Sequence, residues 1–513
     1  MKKTLIIDGN SLTIEDAYKV MSGKITKVSI SDEAIIKINI SRSRVEKVLD
    51  SGEAIYGINT GFGSLANKRI ENEDLDTLQA NLIRSHCVGV GDFFEDDIVR
   101  AILLLRANAL CKGFSGIRLE MIEQILFFLN NNILPLIPKT GSLGACGDLA
   151  PLAHMSICLM GEQKVKYKGE IRQTSEVLKS LNQKPSVLKA KEGLALINGT
   201  PVMTAIGVKC LHKANQLLKI AELAAAISLD ALKGTIKPFT AQLHAIRPHK
   251  GQVFSASNLI KILKGSKILE NHVDCEKVQD AYSLRCAPQV HGACWDTYFR
   301  VYETIEIELN SVTDNPIVLE DEIISGGNFH GEPISMVLSF LLIAMCELGS
   351  ISERRQNRLV NHNLSNLPPF LVGNSGLNSG LMIAHYTSAA CVSENKTISF
   401  PAVVDSIPTS ADQEDHVSMG VTAAKNCLEV LNRLESILSI ELLISLQGLE
   451  FNLKENRSST VIMKIFDRVR KDVSFIENDR YLRDDIEAIR VLIENNELID
   501  ILEIELGEII FED

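Results

Sequence analysis

Two stretches limit what this chain can fold into, because each is apolar around most of a helix. In ANQLLKIAELAAAISLDALKG, from Ala214 to Gly234, apolar side chains fall on nearly every face of a 3.6-residue turn. Such a helix must be enclosed on several sides by other helices. ISMVLSFLLIAMC, from Ile334 to Cys346, has the same character but stops at Glu347, short of a membrane span, so it reads as a helix buried among helices. Leucine-, alanine- and glutamate-rich periods dominate the second half, and strand-like alternation is scarce. The expected fold is mainly α, organised around long bundled helices. At 513 residues the chain exceeds one ordinary core. The expected division is a smaller mixed region over residues 1–200 and a long-helix region over 201–513.

Composition narrows the function. A net charge of -12 argues against nonspecific nucleic-acid binding, which needs a basic face. Eleven cysteines run from Cys87 to Cys427 without a CxxC pair, a pattern that fits a reducing cytoplasm better than a disulfide framework. The opening MKKTLIIDGN has only four apolar residues before Asp8, too few for a signal peptide. Eleven histidines without HxxxH or HExxH spacing point away from a metal site. No membrane association is expected.

Along the chain, a strand is expected near Thr4–Ile7, then helices from Thr13, around Arg42–Ser51, and up to His86. A helix over Asp97–Cys111 should stop at Gly113. The lysine-rich connection ending near Lys191 reads as a surface insertion, and PTSADQEDHVSMG should open a long helix that runs to about Leu449.

The chemistry centres on KTGSLGACGDLAPLAHMSICLMGE, Lys139–Glu162. Gly141, Gly144 and Gly147 recur by threes, and Pro151 suits the first turn of a helix. Ala145-Cys146-Gly147 therefore sits just before a helix N-terminus, the positive end of its dipole. If the fold compresses this segment, the Gly147 nitrogen can attack the Ala145 carbonyl and close a five-membered ring with loss of water. Elimination of the group on Cβ of residue 146 then leaves an exocyclic methylidene, an electrophile no ordinary side chain supplies. The run resembles the prosthetic-group loop of the histidine and phenylalanine ammonia-lyase family, which builds 4-methylidene-imidazol-5-one from Ala-Ser-Gly. Cys146 stands where the family usually has serine, and loss of hydrogen sulfide would give the same carbon skeleton. Taken alone, ACG is also compatible with a glycine-rich turn around a buried structural cysteine.

The resemblance extends over roughly residues 5–510 and implies a long central bundle of the fumarase/aspartase-like type. It also implies a role for each of several residues. Tyr56 in YGINTGFG matches the base on a lid loop. Asn198 in LINGT and Gln279, Tyr282 and Arg285 in QDAYSLRCAPQ match residues around the substrate amine and carboxylate. Arg285 would make the two-pronged carboxylate contact. Phe329 in GGNFH matches an aromatic wall, and Asp148 the acid that helps the loop cyclise. Ser85-His86 and Glu414 match the histidine-specific pattern, so the implied reaction is elimination of ammonia from L-histidine to give trans-urocanate. The implied assembly is a homotetramer with shared active sites. Ala281 and Ala287 depart from the pattern, where histidine-specific members usually carry proline and glutamine.

Each residue taken singly has a structural reading too. Tyr56 could pack in a surface turn, Arg285 could serve an ion pair, and Glu414 with Asp415 could complement the dipole of a new helix. Two other functions stay open: a lyase or aminomutase on another aromatic amino acid or a histidine derivative, and an imidazole-binding homologue that never cyclises.

Overall fold

The computed structural model describes residues 4–51, 55, 57–61, 68–272 and 278–507. Its contacts form two compact units that interleave along the chain, whereas the expected division cut it once at residue 200. The first comprises residues 1–210, 302–339 and 401–425; the second comprises 211–301, 340–400 and 426–513. Four of the five boundaries fall inside long helices, Pro201–Ala231, Ala287–Leu309, Glu332–Val360 and Gly420–Asn452, and the fifth, between residues 400 and 401, follows the helix Met382–Ile398.

Unit 1 holds all the strands among the described residues, in four small sheets. Thr4–Ile7 pairs in parallel with Lys27–Ile30, and the helix Ile14–Met21 connects them. Thr13 caps that helix by accepting the Asp16 amide on its hydroxyl at 3.1 Å. Ile14, Ala17, Val20 and Met21 give it one buried face at helical spacing. The helix Asp96–Cys111 is buried continuously from Ala101 to Cys111, so it is the core of this unit. Its chain reverses at Gly113, whose φ of +82° places the position of a Cβ 2.9 Å from the Lys37 carbonyl carbon, which only glycine tolerates.

Two expectations change here. The helix expected around Arg42 begins ten residues earlier, at Asp32. The connection before Lys191 is also more ordered than a plain insertion. Lys164–Tyr167 and Glu170–Gln173 form a hairpin that joins Leu134–Pro135 in a three-stranded sheet, and the helix Thr174–Ser180 follows.

Unit 2 carries most of the enclosed helix Pro201–Ala231. Leu217, Leu218, Ile220, Ala221, Leu223, Ala224, Ala226 and Ile227 are all fully buried, as the all-round apolar pattern requires. Each buried leucine or isoleucine contributes roughly 1.5–3 kcal/mol relative to leaving it in water. Two fully buried charges of this unit pair with each other. Glu441 accepts a two-pronged contact from Arg355, and the Ser228 and Ser352 hydroxyls complete its shell. Nearby, the Trp295 indole donates to Glu222 at 3.2 Å. The helix Glu332–Val360 is long and apolar enough to cross a membrane, yet 61% of its most apolar stretch is buried within the protein.

Candidate active site

Unit 1 builds its site on a contact between two glycines. Gly147, at φ +76°, lies against Gly199, at φ +122°; a Cβ on Gly147 would sit 2.0 Å from the Gly199 carbonyl oxygen. The two residues form a parallel bridge in which the Asp148 amide donates to Gly199 at 2.7 Å and the Gly199 amide donates to Cys146 at 3.3 Å. That bridge uses the amide and carbonyl on either side of Gly147 and leaves the Gly147 nitrogen outside it. The Cys146 carbonyl also accepts from Asn198 Nδ2 at 3.2 Å, so two N–H groups polarise it.

Asp148 is fully buried and pins the loop from behind. Its Oδ2 accepts the amides of Val202 and Met203 at 2.8 and 3.0 Å, in the first turn of the helix Pro201–Ala231, and its Oδ1 accepts from Ser142 Oγ at 3.2 Å. Burial pushes its carboxyl up to about 7, against those donors, which favour the charged form. Beyond Asn198, Arg106 donates to the Asn198 carbonyl, and the fully buried Lys191 pairs with Asp314 at 2.8 Å. On the other side, the Gly144 carbonyl accepts from Ser418 Oγ at 3.1 Å, the Met419 amide donates to Leu143 at 2.8 Å, and Ala145 packs on Val417 and Met419.

The loop faces a cavity of about 570 Å³. Ala145, Cys146, His86, Asn198, Phe329 and Glu414 all line it, so six of the expected residues meet there. The Cys146 thiol donates to Glu414 Oε1 at 3.2 Å, and Thr409 Oγ1 donates to Glu414 Oε2 at 3.1 Å. Burial raises the thiol's pKa far above its ordinary value, and the Glu414 charge adds to this. Glu414 does not lie in a helix's first turn: the helix starts at Gly420, and Glu414 closes a reversed segment in which Ser410, Ala411 and Asp412 all have positive φ. Helix-dipole compensation therefore does not account for this carboxylate.

His86 ends the helix Leu75–His86. Its Nδ1 lies 2.8 Å from the Leu82 carbonyl, an acceptor, which assigns the proton to Nδ1 and leaves Nε2 with the lone pair. Burial lowers its pKa, opposed by the Leu82 carbonyl and by the charge of Glu414. Asn198 Oδ1 is buried without a hydrogen-bond partner.

Gln279, Tyr282 and Arg285 belong to unit 2, where the Arg285 guanidinium stands 4.7 Å over the ring of Tyr282, itself 71% exposed. Tyr56 lies outside the described residues. The sequence reading missed His330 and His416. Both line the cavity with rings stacked 5.8 Å apart, and His330 Nε2 donates to the His416 carbonyl at 3.2 Å. Each sits within two residues of a position that was singled out, Phe329 or Glu414, and that adjacency was the available signal.

The sequence model described as Aromatic amino acid lyase matches residues 12–471. The chain belongs to the aromatic amino acid lyase family. Among relatives in this family, a histidine ammonia-lyase of Caldanaerobacter subterraneus subsp. tengcongensis is 47% identical, over 98% of both chains. The crystal structure of histidine ammonia-lyase from Trypanosoma cruzi superposes with a TM-score of 0.91 at 41% identity, covering 99% of this chain and 96% of that one. A tyrosine aminomutase from Streptomyces globisporus gives 0.93 at 37% identity over 99% of each. The mainly helical architecture expected from the sequence is thus the fold of the aromatic amino acid lyases. The methylidene-imidazolone that the family implies fits the residues present, because the close Gly199 backbone leaves room only for glycine at 147 and the bridge leaves the Gly147 nitrogen unused.

Proposed function

We propose that this chain is a histidine ammonia-lyase, which eliminates ammonia from L-histidine to give trans-urocanate. The observation that carries the reading is one cavity lined by an imidazole, His86, and a carboxylate, Glu414, beside the tripeptide Ala145-Cys146-Gly147. A substrate imidazole can hydrogen-bond with both groups, whereas a phenyl ring would leave them unsatisfied in a half-buried place. Curated relatives called histidine ammonia-lyase, at 43–47% identity, support the same substrate.

Ala145, Cys146 and Gly147 would form the methylidene-imidazolone, with cysteine in place of the usual serine. That group supplies an electrophile for the substrate amine, which turns ammonia into a leaving group. Asp148 holds the loop on the helix amides, and Asn198 polarises the Cys146 carbonyl. His86, in the form protonated on Nδ1, presents a lone pair for an imidazole N–H, and Glu414 holds the ring from its other side. Phe329 limits the ring's tilt. Tyr56 takes the β-proton in this reading, while Gln279, Tyr282 and Arg285 bind the amine and carboxylate. These four assignments rest on the family pattern.

A homotetramer with shared sites in a reducing cytoplasm belongs to the same proposal. The exposed Tyr282 beneath Arg285 supports it, as do Phe340, Ile343, Ile383 and Tyr386, apolar surface that further copies would cover.

The test is incubation with L-histidine, followed by the absorbance of urocanate, beside phenylalanine and tyrosine controls. Urocanate from histidine alone is expected. A β-amino acid, or turnover of tyrosine instead, would move the chain among the aminomutases or other aromatic lyases. Absence of all turnover with an uncyclised mass would leave an imidazole-binding homologue.

A further inference from the structure

We propose that His154 is a positioning residue for the substrate ring: it fixes the backbone of the loop that follows His86 to the helix that follows the cofactor tripeptide. The inference rests on the reading of His86 as a partner of the substrate imidazole. Its starting point is a bond from backbone to side chain, in which the Gly89 amide donates to His154 Nε2 at 3.1 Å. His154 stands in the helix Leu149–Leu159, which begins two residues after Gly147 and packs against the helix Leu75–His86. It is not among the described residues that line the cavity, so whatever it contributes to binding passes through the loop.

The loop is tight enough to pass a displacement on. The Val88 amide donates to the His86 carbonyl at 2.9 Å and the Cys87 amide to the Arg84 carbonyl at 3.3 Å, so Gly89 is joined to His86 through a closed turn. Gly89 itself is gripped from two sides. A Cβ there would lie 3.2 Å from His154 Nε2 and 3.1 Å from Pro138 Cβ, and Pro138 opens the strand Pro138–Thr140 that leads into the cofactor loop. The segments before and after the tripeptide thus both bear on one residue of the His86 loop. Because an N–H points at it, Nε2 is the acceptor and Nδ1 carries the ring's proton. Burial lowers the pKa of His154 and so favours this neutral form. A second tie between the same two helices, the Arg84–Glu162 ion pair at 2.6 Å, lies open to water and holds little. Without His154 the half-buried Gly89 amide loses its acceptor, the loop relaxes toward another, and His86 shifts with it.

The parent chain, His154→Leu, His154→Gln, His86→Leu and the double variant with both leucine changes are purified at full length, checked for ring formation by intact mass and assayed with L-histidine. His154→Leu is expected to cyclise as the parent does and to raise KM for histidine roughly five- to tenfold, with kcat changed less. His154→Gln, whose amide oxygen can accept the Gly89 N–H in place of Nε2, should recover most of the loss. Leucine and glutamine both occupy the site, so recovery by glutamine alone reports the hydrogen bond. With His86 already replaced by leucine, adding His154→Leu should cost little more. An equal loss with and without His86, no recovery by glutamine, or a His154→Leu chain that keeps its uncyclised mass overturns the role of His154 and leaves the histidine reading standing. Unaltered kcat/KM in His86→Leu alone overturns the assignment of His86 and this proposal with it, and a parent that makes no urocanate strikes the functional reading as well. If circular dichroism shows His154→Leu unfolded, Gly89→Ala supplies the test, because its Cβ presses on the same Nε2. A rise in KM that depends on His86 is then expected, and an unchanged KM counts against the proposal.

Discussion

The Asp148 carboxylate accepts the Val202 amide at 2.8 Å, which makes the acid beside the reactive tripeptide also the anchor of a 31-residue helix. Loop geometry and helix position are therefore set by one side chain. Folded Asp148 holds its proton up to about 7, while the unfolded group loses it near 3.8. Between those values the native state binds more protons, so the contribution of Asp148 to stability falls as pH rises through the window. Asp148→Asn keeps an oxygen for the Val202 and Met203 amides and does not titrate. The stability of the parent minus that of the variant, from urea unfolding, should decline from about pH 4 to about pH 7. A flat or rising difference would show the helix amides keeping Asp148 ionised throughout.

Gly199 is the firmer half of the glycine pair. A Cβ there would lie 2.5 Å from Thr313 Oγ1 and 2.6 Å from the Thr313 carbonyl, at a φ of +122°. Gly199→Ala is expected to push the Cys146 carbonyl off its donors and to leave the tripeptide uncyclised by mass, with a stability loss on the order of 1–3 kcal/mol. Full maturation of this variant would mean that the Gly199 contact is not what shapes the loop.

His86→Leu removes one of the two polar partners expected for the substrate ring. We expect kcat/KM for L-histidine to fall by roughly ten- to a hundredfold, with the stability of the protein little changed. Steady-state kinetics decide the point, and an unaltered kcat/KM would remove His86 from the binding site.

Within unit 2, Glu441→Ala leaves the fully buried Arg355 guanidinium without its carboxylate. Denaturant unfolding should show a loss of about 3–5 kcal/mol. Replacing Arg355 with methionine in the same chain should recover much of it, because the stranded charge is then gone.

Much of this arrangement was legible in the residue order. The all-round apolar run Ala214–Gly234 required enclosure, and glycines at 144 and 147 suit left-handed backbone that other residues adopt only rarely. The start of the helix after Glu414 was not legible. Three successive left-handed residues, 410–412, delay it to Gly420, and their conformation depends on the pairing of Thr409 with Glu414. The hairpin at 164–173 did carry a signal. Lys168-Gly169, both at positive φ, is a two-residue turn between short alternating runs, but lysine-rich composition masked it. The interleaving of the two units escaped any linear reading, because long helices carry the chain across their boundaries.

The face-to-face approach of Gly147 and Gly199 also constrains how such a chain can evolve. A side chain at Gly147 needs the Gly199 backbone to retreat, and one at Gly199 needs Thr313 to retreat, so a substitution at either glycine calls for a second change elsewhere. Drift along this loop is thereby steered away from the glycine and toward its neighbour at 146, which is a cysteine in this chain.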